Sequence, residues 1–219
     1  MVNAFWLAAG GTTLTARLAL RDGVGINIGG GFHHAFHGHG EGFCAVNDIA
    51  VAIRRLEREG RIERAMVVDC DVHHGNGTAA LFAGDRKVFT LSIHQLNSYP
   101  AEKPSSDIDI GLSDQAGDDE YLEELRKHYV PAVLEFHPQL VVYVAGADPY
   151  YQDQLGGLAL TMAGMKQRDR LVMDIALRHG ASVAVTLAGG YAFRLNDTVS
   201  IHVNTVKAGK ESLEVTGRA

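Results

Sequence analysis

The sequence is poor in the features that mark membrane, secreted and nucleic-acid-binding proteins. Its two cysteines, Cys44 and Cys70, cannot form a disulfide framework, which is typical of a reducing compartment. It has no apolar run of the roughly 18 residues that a membrane-spanning helix needs, and no signal-peptide pattern. It also has no cluster of Lys and Arg, and its formal net charge is -6. We therefore expect a cytoplasmic protein whose direct partners include neither nucleic acid nor a membrane.

The composition is that of an ordinary globular protein. The chain has 219 residues, of which 46% are hydrophobic and 21% are charged, and it contains no repeat or linker-like tract. A chain of this length buries roughly 70% of its unfolded surface, so it needs no structural metal and is expected to form one domain over residues 1–219. The 25 glycines and 11 histidines are the unusual counts. Because histidine binds metals and carries protons while glycine permits close backbone approach, they suggest a functional site.

Short β-branched runs alternate with amphipathic segments along the chain. The runs predict buried strands at residues 24–28, 65–68, 88–93, 140–144 and 183–187. Asn47 or Asp48 is the expected N-cap of a helix that stops at Gly60. Further helices are predicted at residues 118–136, 163–179 and 197–206, and the apolar opening segment looks helical. The alternation of strand and helix predicts a three-layer α/β/α sandwich around a mainly parallel sheet.

The segments that follow the predicted strands hold the residues suited to chemistry. They are residues 29–34, 69–77, 92–94, 145–148 and 188–191. Each contains His, Asp, Ser or Tyr, most of them beside glycine or alanine. Because the carboxyl ends of parallel strands meet at one edge of the sheet, we expect these residues to converge there.

Asp71 and His73 have a spacing that predicts a metal site. In an extended segment, residues two apart point to the same side, so both side chains can reach one cation. Asp148, at another strand end, is the best candidate for a third ligand. Two carboxylates and one imidazole with an open position suit Zn²⁺ or Fe²⁺ in a hydrolytic role. An isolated Asp-x-His pair is usually a surface turn, but the neighbouring loops favour the ligand interpretation.

Five ordered motifs give the sequence a family resemblance. They are Gly-Gly-Gly-Phe-His-His at 29–34, Glu-Gly-Phe-Cys at 41–44, Asp-Cys-Asp-Val-His-His-Gly-Asn-Gly at 69–77, Gly-Ala-Asp at 146–148 and Gly-Gly-Tyr at 189–191. Over about residues 4–208, the sequence resembles the histone deacetylase superfamily, in particular its class IV-like and bacterial members. The resemblance implies an arginase-like α/β/α sandwich and a single deacetylase-like catalytic domain.

The resemblance also implies metal ions. Asp71, His73 and Asp148 match the ligands of a catalytic zinc ion, for which Fe²⁺ is the alternative. A structural K⁺ site would be formed, through side-chain and main-chain oxygens, by Asp69, Asp71, His73, Ser92 and Ile93. A weaker second K⁺ site would be formed by Phe82, Asp85 and Val88.

Further catalytic roles follow from the same resemblance. His33 and His34 match a tandem pair, in which His34 is the general base and later the general acid. Asp69 matches the carboxylate that orients His33, and Asn76 occupies the corresponding position for His34. Tyr191 matches a phenol that donates a hydrogen bond to the developing oxyanion.

Substrate-binding positions can be assigned in the same way. Phe43 and Tyr99 match the walls of a narrow tunnel for the aliphatic stem of an acyl-lysine. Gly42 would offer its carbonyl to the lysine amide, and Leu155 would lie near the rim. Gly190 is also expected to contact the substrate.

The implied activity is hydrolysis of an acyl-lysine amide in a protein or peptide, without a covalent intermediate. A small acylated amine such as an acetylpolyamine is the main alternative substrate. Binuclear arginase-type chemistry is disfavoured, because it needs carboxylates two positions after His73 and Asp148, where Gly75 and Tyr150 stand. An inactive, truncated domain that serves as a binding or oligomerisation module is an alternative of another class.

The sequence departs from the family pattern at three places. Asn76 stands where some members have a second aspartate, and Ala188 replaces the first glycine of a Gly-Gly-Gly-Tyr string. The chain also looks short at its N-terminus, since the family domain usually begins about a hundred residues earlier. Phe5 and Trp6 lie in the apolar opening segment. We expect them to be buried in a homo-oligomer, unless the chain is a fragment of a longer protein.

Overall fold

A computed structural model describes residues 2–218 and contains a six-stranded parallel sheet between two layers of helices. The strands are β1 Val24–Asn27, β2 Ala65–Asp69, β3 Val88–Gln95, β4 Ile108–Leu112, β5 Leu140–Val144 and β6 Ser182–Thr186. The helices are α1 Val2–Asp22, α2 Asp48–Arg58, α3 Asn76–Phe82, α4 Asp118–Phe136, α5 Met162–Arg178 and α6 Leu195–Thr216. The strand order is β1-β6-β5-β2-β3-β4, and all neighbours are parallel. The predicted α/β/α sandwich is confirmed.

The helices form two outer layers because each buries an apolar face against the sheet. On one face, Tyr121 of α4 and Val172 of α5 pack in a core that includes Val68 of β2. On the other face, Ile53 of α2 packs in a second core that includes the neighbouring Val67. Successive side chains of a strand point to opposite faces, so the apolar run of β2 contributes to both cores.

All five strands predicted from the sequence are present, and the structure adds β4 and α3. Strands β2, β5 and β6 are buried throughout, so their apolar runs are continuous. Strand β4 lies at the sheet edge, where Ile110 and Leu112 are buried but Asp109 and Gly111 are exposed. A search for continuous apolar runs misses such a mixed segment. Helix α3 has only seven residues, too few for a clear periodic pattern.

The predicted helix ends are close to those in the structure except at the last helix. The side chain of Asn47 caps α2 by accepting a hydrogen bond from the backbone of Ala50, and Gly60 follows with a φ of 65°. Helix α6 continues past the predicted end at residue 206 to Thr216 and includes Gly209. A Cβ atom there would lie 3.3 Å from Val24 and Ile26 of β1, so Gly209 allows close packing of the helix on the sheet.

The apolar residues at the start of α1 differ in how far they are buried. Phe5 is partly buried, and its ring centroid lies 4.8 Å from that of Phe32. Trp6 is 57% exposed and Leu7 is 78% exposed. Phe5 therefore packs within its own chain, and self-association through Trp6 stays a prediction. Within residues 2–218, no helix combines the length and hydropathy needed to cross a membrane.

Candidate active site

Loops at the carboxyl edge of the sheet enclose a cavity of about 480 Å³. Its lining includes His33, His34, Asp71, His73, Asp148 and Tyr191. These residues come from four loops, which follow β1, β2, β5 and β6. Four of the five predicted segments therefore converge at the cavity. Residues 92–94 do not, because β3 continues through them to Gln95 and none of the three lines the cavity.

Asp71, His73 and Asp148 bring three ligand-type atoms together. Nδ1 of His73 lies 2.9 Å from Oδ1 of Asp71 and 3.4 Å from Oδ2 of Asp148. Oδ1 of Asp148 accepts a hydrogen bond from the backbone of Val72, whereas its buried Oδ2 accepts none from the described residues. Burial, together with the negative charge of Asp71, raises the pKa of Asp148 to about 7. Two carboxylates, one with a free buried acceptor, and an imidazole nitrogen fit a divalent cation such as Zn²⁺.

Two glycines allow the carboxylates to approach each other. A Cβ atom at Gly146 would lie 2.8 Å from both Oδ1 of Asp148 and Oδ2 of Asp71. A Cβ atom at Gly189 would overlap Oδ2 of Asp148, and the Gly189 N–H donates to Oδ2 of Asp71 at 3.2 Å. A larger residue at either position would displace the ligand side chains.

His33 is arranged as a charged hydrogen-bond donor. Its Nδ1 lies 2.6 Å from Oδ2 of Asp69, and its Nε2 lies 3.8 Å from Oδ1 of Asp71. Burial opposes protonation, but the charges of Asp69 and Asp71 outweigh it and raise the pKa of His33 to about 9. The structure thus contains the predicted pairing of His33 with Asp69.

His34, in contrast, is a neutral imidazole. Its Nδ1 lies 2.8 Å from Oδ1 of Asn76, so its partner is an amide, as the sequence predicts. Burial and the charge of His33 lower the pKa of His34 to about 3. A neutral imidazole can take a proton from water, whereas a charged one cannot. The two adjacent histidines are therefore suited to different tasks.

Tyr191 faces the cavity as a protonated phenol. Its backbone N–H donates to Oδ2 of Asp153 at 2.6 Å, which fixes the loop after β6. Burial and the negative charges of Asp148 and Asp71 raise the pKa of Tyr191. The phenol is therefore available as a hydrogen-bond donor at neutral pH.

Aromatic side chains form the walls of the cavity. The ring centroid of Phe43 lies 6.3 Å from that of Tyr191. The ring of Tyr99 meets that of His34 edge-on, with centroids 4.9 Å apart. Leu155 also lines the cavity. Because Phe43 is 80% exposed, most of its ring is available for contact with a ligand.

The two glycines assigned to substrate binding differ in position. Gly42 lines the cavity, and a Cβ atom there would overlap the ring of His34. Gly190 is not among the lining residues; a Cβ atom at this position would meet Ala147 and Thr198 instead. Gly190 therefore packs within its loop, and its contact with the substrate stays a prediction.

Two buried aspartates support the site although the sequence patterns assign them no role in it. Asp48 accepts hydrogen bonds from the backbone N–H of Gly31, in the loop after β1. Asp153 accepts one from the backbone of Leu155 at 2.8 Å and one from Tyr191. Gly31 is 17 residues from Asp48 and Tyr191 is 38 residues from Asp153, so no local pattern in the sequence marks these contacts.

Three of the residues assigned to the structural K⁺ site, Asp69, Ser92 and Ile93, lie on the neighbouring strands β2 and β3, and the other two, Asp71 and His73, lie in the loop after β2. Asp69 and Ser92 are register partners on β2 and β3. Oγ of Ser92 lies 3.0 Å from Nδ1 of His94, and Nε2 of His74 lies 3.0 Å from Oδ1 of Asp109. These histidines engage in hydrogen bonds outside the cavity, and K⁺ binding stays a prediction.

The residues of the weaker K⁺ site form a tight backbone turn. The Asp85 N–H donates to the carbonyl of Phe82 at 2.9 Å, and the Val88 N–H donates to that of Asp85 at 3.3 Å. The Asp85 carboxylate pairs with Arg54 at 2.6 Å. This site also stays a prediction.

The fold and the site define a class of protein, an α/β sandwich with a cavity of histidines and carboxylates at the carboxyl edge of a parallel sheet. The family model of the histone deacetylase domain matches residues 1–206. The chain belongs to the histone deacetylase family, and the resemblance inferred from the five motifs is confirmed.

Relatives from bacteria and plants share substantial identity with the chain. An uncharacterised protein of Picosynechococcus sp. is 44% identical over 93% of this chain and 68% of its own length. Histone deacetylase 2 of Arabidopsis thaliana is 37% identical over 83% of this chain and 48% of its own length. The histone deacetylase-like amidohydrolase of Pseudomonas aeruginosa is 33% identical over 73% of this chain. The chain spans 45% to 68% of the length of these relatives.

Solved structures share the fold. The HDA15 HD domain superposes with a TM-score of 0.78 and 27% identity, covering 94% of this chain and 65% of that chain. Acetylpolyamine aminohydrolase from Burkholderia pseudomallei superposes with a TM-score of 0.77 and 24% identity, covering 94% of this chain and 62% of that chain. The deacetylase-like architecture is thereby confirmed.

Proposed function

We propose that this chain hydrolyses the amide of an acylated lysine in a metal-dependent reaction, with zinc as the metal and Fe²⁺ as the alternative. The observation that carries the proposal is the convergence of Asp71, His73 and Asp148, a histidine pair and a phenol on one cavity. Amide hydrolysis needs activated water, a base and donors to the oxyanion, and these groups can supply them. Membership of the histone deacetylase family supports an amidohydrolase.

Asp71, His73 and Asp148 would hold the metal, which when bound polarises the amide carbonyl and lowers the pKa of water. His34 takes a proton from the attacking water on Nε2, because its Nδ1 is engaged by Asn76. The same nitrogen then returns the proton to the departing amine.

His33 and Tyr191 stabilise the negative charge that develops on the carbonyl oxygen. His33 contributes the positive charge of its imidazolium ring, which Asp69 holds in place, and Tyr191 donates a hydrogen bond from its phenol. A donor already in place at a developing oxyanion is typically worth about 3 to 4 kcal/mol. The charged state of His33 and the protonated state of Tyr191 at neutral pH both support this division of roles.

The cavity favours a linear acylated amine as substrate. Phe43 and Tyr99 present aromatic surfaces, and Leu155 adds an apolar side chain. An aliphatic stem can lie against such surfaces while the acyl group reaches His34. A lysine side chain and an acetylated polyamine both have such a stem, so the small acylated amine is the alternative substrate.

The proposal is tested by measuring bound metal and deacylation on the same sample. We expect about one equivalent of zinc or iron and hydrolysis of a fluorogenic acetyl-lysine peptide, with an acetylated polyamine assayed in parallel. Asp148→Ala should lose metal and activity together. The control is Asp119→Ala, which removes an exposed carboxylate on α4 and should change neither. A sample that binds no metal and cleaves neither substrate would instead favour the binding-module alternative.

A further inference from the structure

Glu41 belongs to one of the five motifs, but the proposed chemistry does not use it. Its Oε1 accepts hydrogen bonds from Nδ2 of Asn76 and, at 2.9 Å, from the hydroxyl of Tyr99. Its Oε2 lies 3.3 Å from Nε2 of His39. Asn76 and Tyr99 are 35 and 58 residues away in the sequence. One carboxylate therefore joins the partner of His34 to a wall of the cavity.

The contacts of Asn76 fix the orientation of its amide group. Oδ1 accepts a hydrogen bond from the backbone N–H of Gly77 at 3.0 Å and faces Nδ1 of His34, while Nδ2 donates to Glu41. An ionised carboxylate only accepts hydrogen bonds, and a backbone N–H only donates them. In the reversed amide, Nδ2 would face the Gly77 N–H and Oδ1 would face Glu41. Asn76 therefore presents an acceptor to His34.

An acceptor at Nδ1 selects one tautomer of His34. The proton of the neutral ring lies on Nδ1, and the lone pair lies on Nε2, the nitrogen that Asn76 does not engage. A donor at Nδ1 would select the opposite tautomer and leave no lone pair on Nε2. The orientation of Asn76 therefore determines whether His34 can act as a base from Nε2.

Glu41 is also the first residue of the 41–44 turn, which forms part of the cavity wall. The backbone N–H of Cys44 donates to the carbonyl of Glu41 at 2.7 Å, and Gly42 and Phe43 between them have φ values of 53° and 64°. A positive φ is unfavourable for a bulky residue such as Phe43 and persists only where the surroundings hold it. The carboxylate contacts of Glu41 anchor this turn to the rest of the site.

We propose that Glu41 is a positioning residue: it holds Asn76 so that His34 presents a free Nε2, and it holds Tyr99 and the 41–44 turn in the cavity wall. The kinetic part of this inference rests on the proposed function, because it takes His34 as the base. A glutamine at this position keeps an acceptor oxygen for Asn76 and Tyr99, whereas an alanine keeps none.

The first test determines the tautomer without substrate. In ¹⁵N-histidine-labelled, metal-loaded protein, the His34 resonances are identified by their loss in His34→Gln. We expect Nδ1 to be protonated and Nε2 bare in the wild type and in Glu41→Gln. Glu41→Ala should show a mixture of tautomers. A wild-type His34 protonated on Nε2 would overturn the proposal, and this measurement remains decisive if Glu41→Ala does not fold.

The second test is kinetic. Glu41→Ala should lower kcat about tenfold, as part of the 10²- to 10⁴-fold contribution of a general base, and should raise KM because the wall is released. Glu41→Gln should restore kcat to within about twofold of the wild type. Glu102→Gln removes an exposed charge from the loop after Tyr99 and controls for a general electrostatic effect. In an Asn76→Ala background, adding Glu41→Ala should cause no further loss of kcat.

Three kinetic outcomes contradict the proposal. They are an unchanged kcat in Glu41→Ala, equal losses in Glu41→Ala and Glu41→Gln, and additive losses for Glu41→Ala and Asn76→Ala. An inactive wild type with its His34 proton on Nδ1 would overturn the proposed function but support the positioning role. The two failures are therefore distinguishable.

Discussion

Nη1 of Arg168 donates a hydrogen bond to the carbonyl oxygen of Gly146 at 2.8 Å and another to that of Cys70 at 3.2 Å. These carbonyls stand just before the ligand-bearing segments that follow β5 and β2. Arg168 is fully buried, and the carboxylate of Asp169 balances its charge at 2.8 Å. A buried cation on α5 thus ties together the two loops that converge on the candidate metal group.

Removal of this cation should affect both stability and metal binding. We expect Arg168→Met to lower the free energy of unfolding by about 3 to 5 kcal/mol, because it leaves the buried charge of Asp169 uncompensated. Bound metal should fall as well, since the two loops lose a common anchor. Arg170→Met is the control: Arg170 pairs with partly exposed Asp174 and Glu211, so its loss should cost less than about 1 kcal/mol. Denaturant unfolding and metal analysis measure both effects, and similar losses in the two variants would contradict the expectation.

Tyr191→Phe should separate metal binding from turnover. The variant keeps all three proposed ligands, so its metal content should equal that of the wild type. It loses one donor to the oxyanion, so kcat should fall about 10²- to 10³-fold. Tyr151→Phe, at a 54% exposed tyrosine of the loop after β5, is a matched control. Full activity of Tyr191→Phe on an unhindered acetyl-lysine substrate would exclude the assigned role.

The pH profile tests the amide partner of His34. Burial and the charge of His33 lower the pKa of His34 to about 3, and a carboxylate in place of Asn76 would stabilise the His34 cation more than an amide does. Asn76→Asp should therefore raise the pKa of His34. The Asn76→Asp change is made in a Glu41→Gln background, because the new carboxylate at position 76 would otherwise face that of Glu41. Because the base works only when neutral, the acidic limb of kcat/KM should move to higher pH than in Glu41→Gln alone. Superimposed profiles would show that position 76 does not govern the base.

His202 should make the fold less stable in mild acid. Burial, followed by the charge of Arg168, lowers the pKa of His202 from 6.5 to about 4, and Asp169 offsets only part of this. The unfolded chain therefore binds this proton at higher pH than the folded chain. Stability should fall as the pH drops from 6.5 through about 4 and should level off below that. His202→Gln should flatten this part of the curve in denaturant unfolding, while His179→Gln, at an exposed histidine, should leave it unchanged.

Patterns that extend over a few residues predict much of the fold. Buried strands such as β2 and β5 appear as continuous apolar runs, and Asn47 and Gly60 mark the ends of α2. The same patterns miss β4, whose edge position allows polar residues to alternate with buried Ile110 and Leu112. They also end α6 too early, at residue 206, although the helix continues to Thr216 through Gly209, which packs against β1.

The sequence by itself determined which residues stand at the carboxyl ends of the strands, and therefore which ligand and proton-transfer groups could meet. This was possible because strand and helix patterns repeat over 2 or about 3.6 residues and so locate the strand ends. Asp71 and His73 themselves lie in a bend after β2, where the backbone N–H of His73 donates to Oδ1 of Asp71, so strand alternation is not what brings them together. Only the tertiary structure decided that Glu41 orients Asn76, 35 residues away, and that Arg168 holds the carbonyl of Cys70, 98 residues away. Such partners are selected by the packing of whole loops against one another, and no local period in the chain encodes that packing.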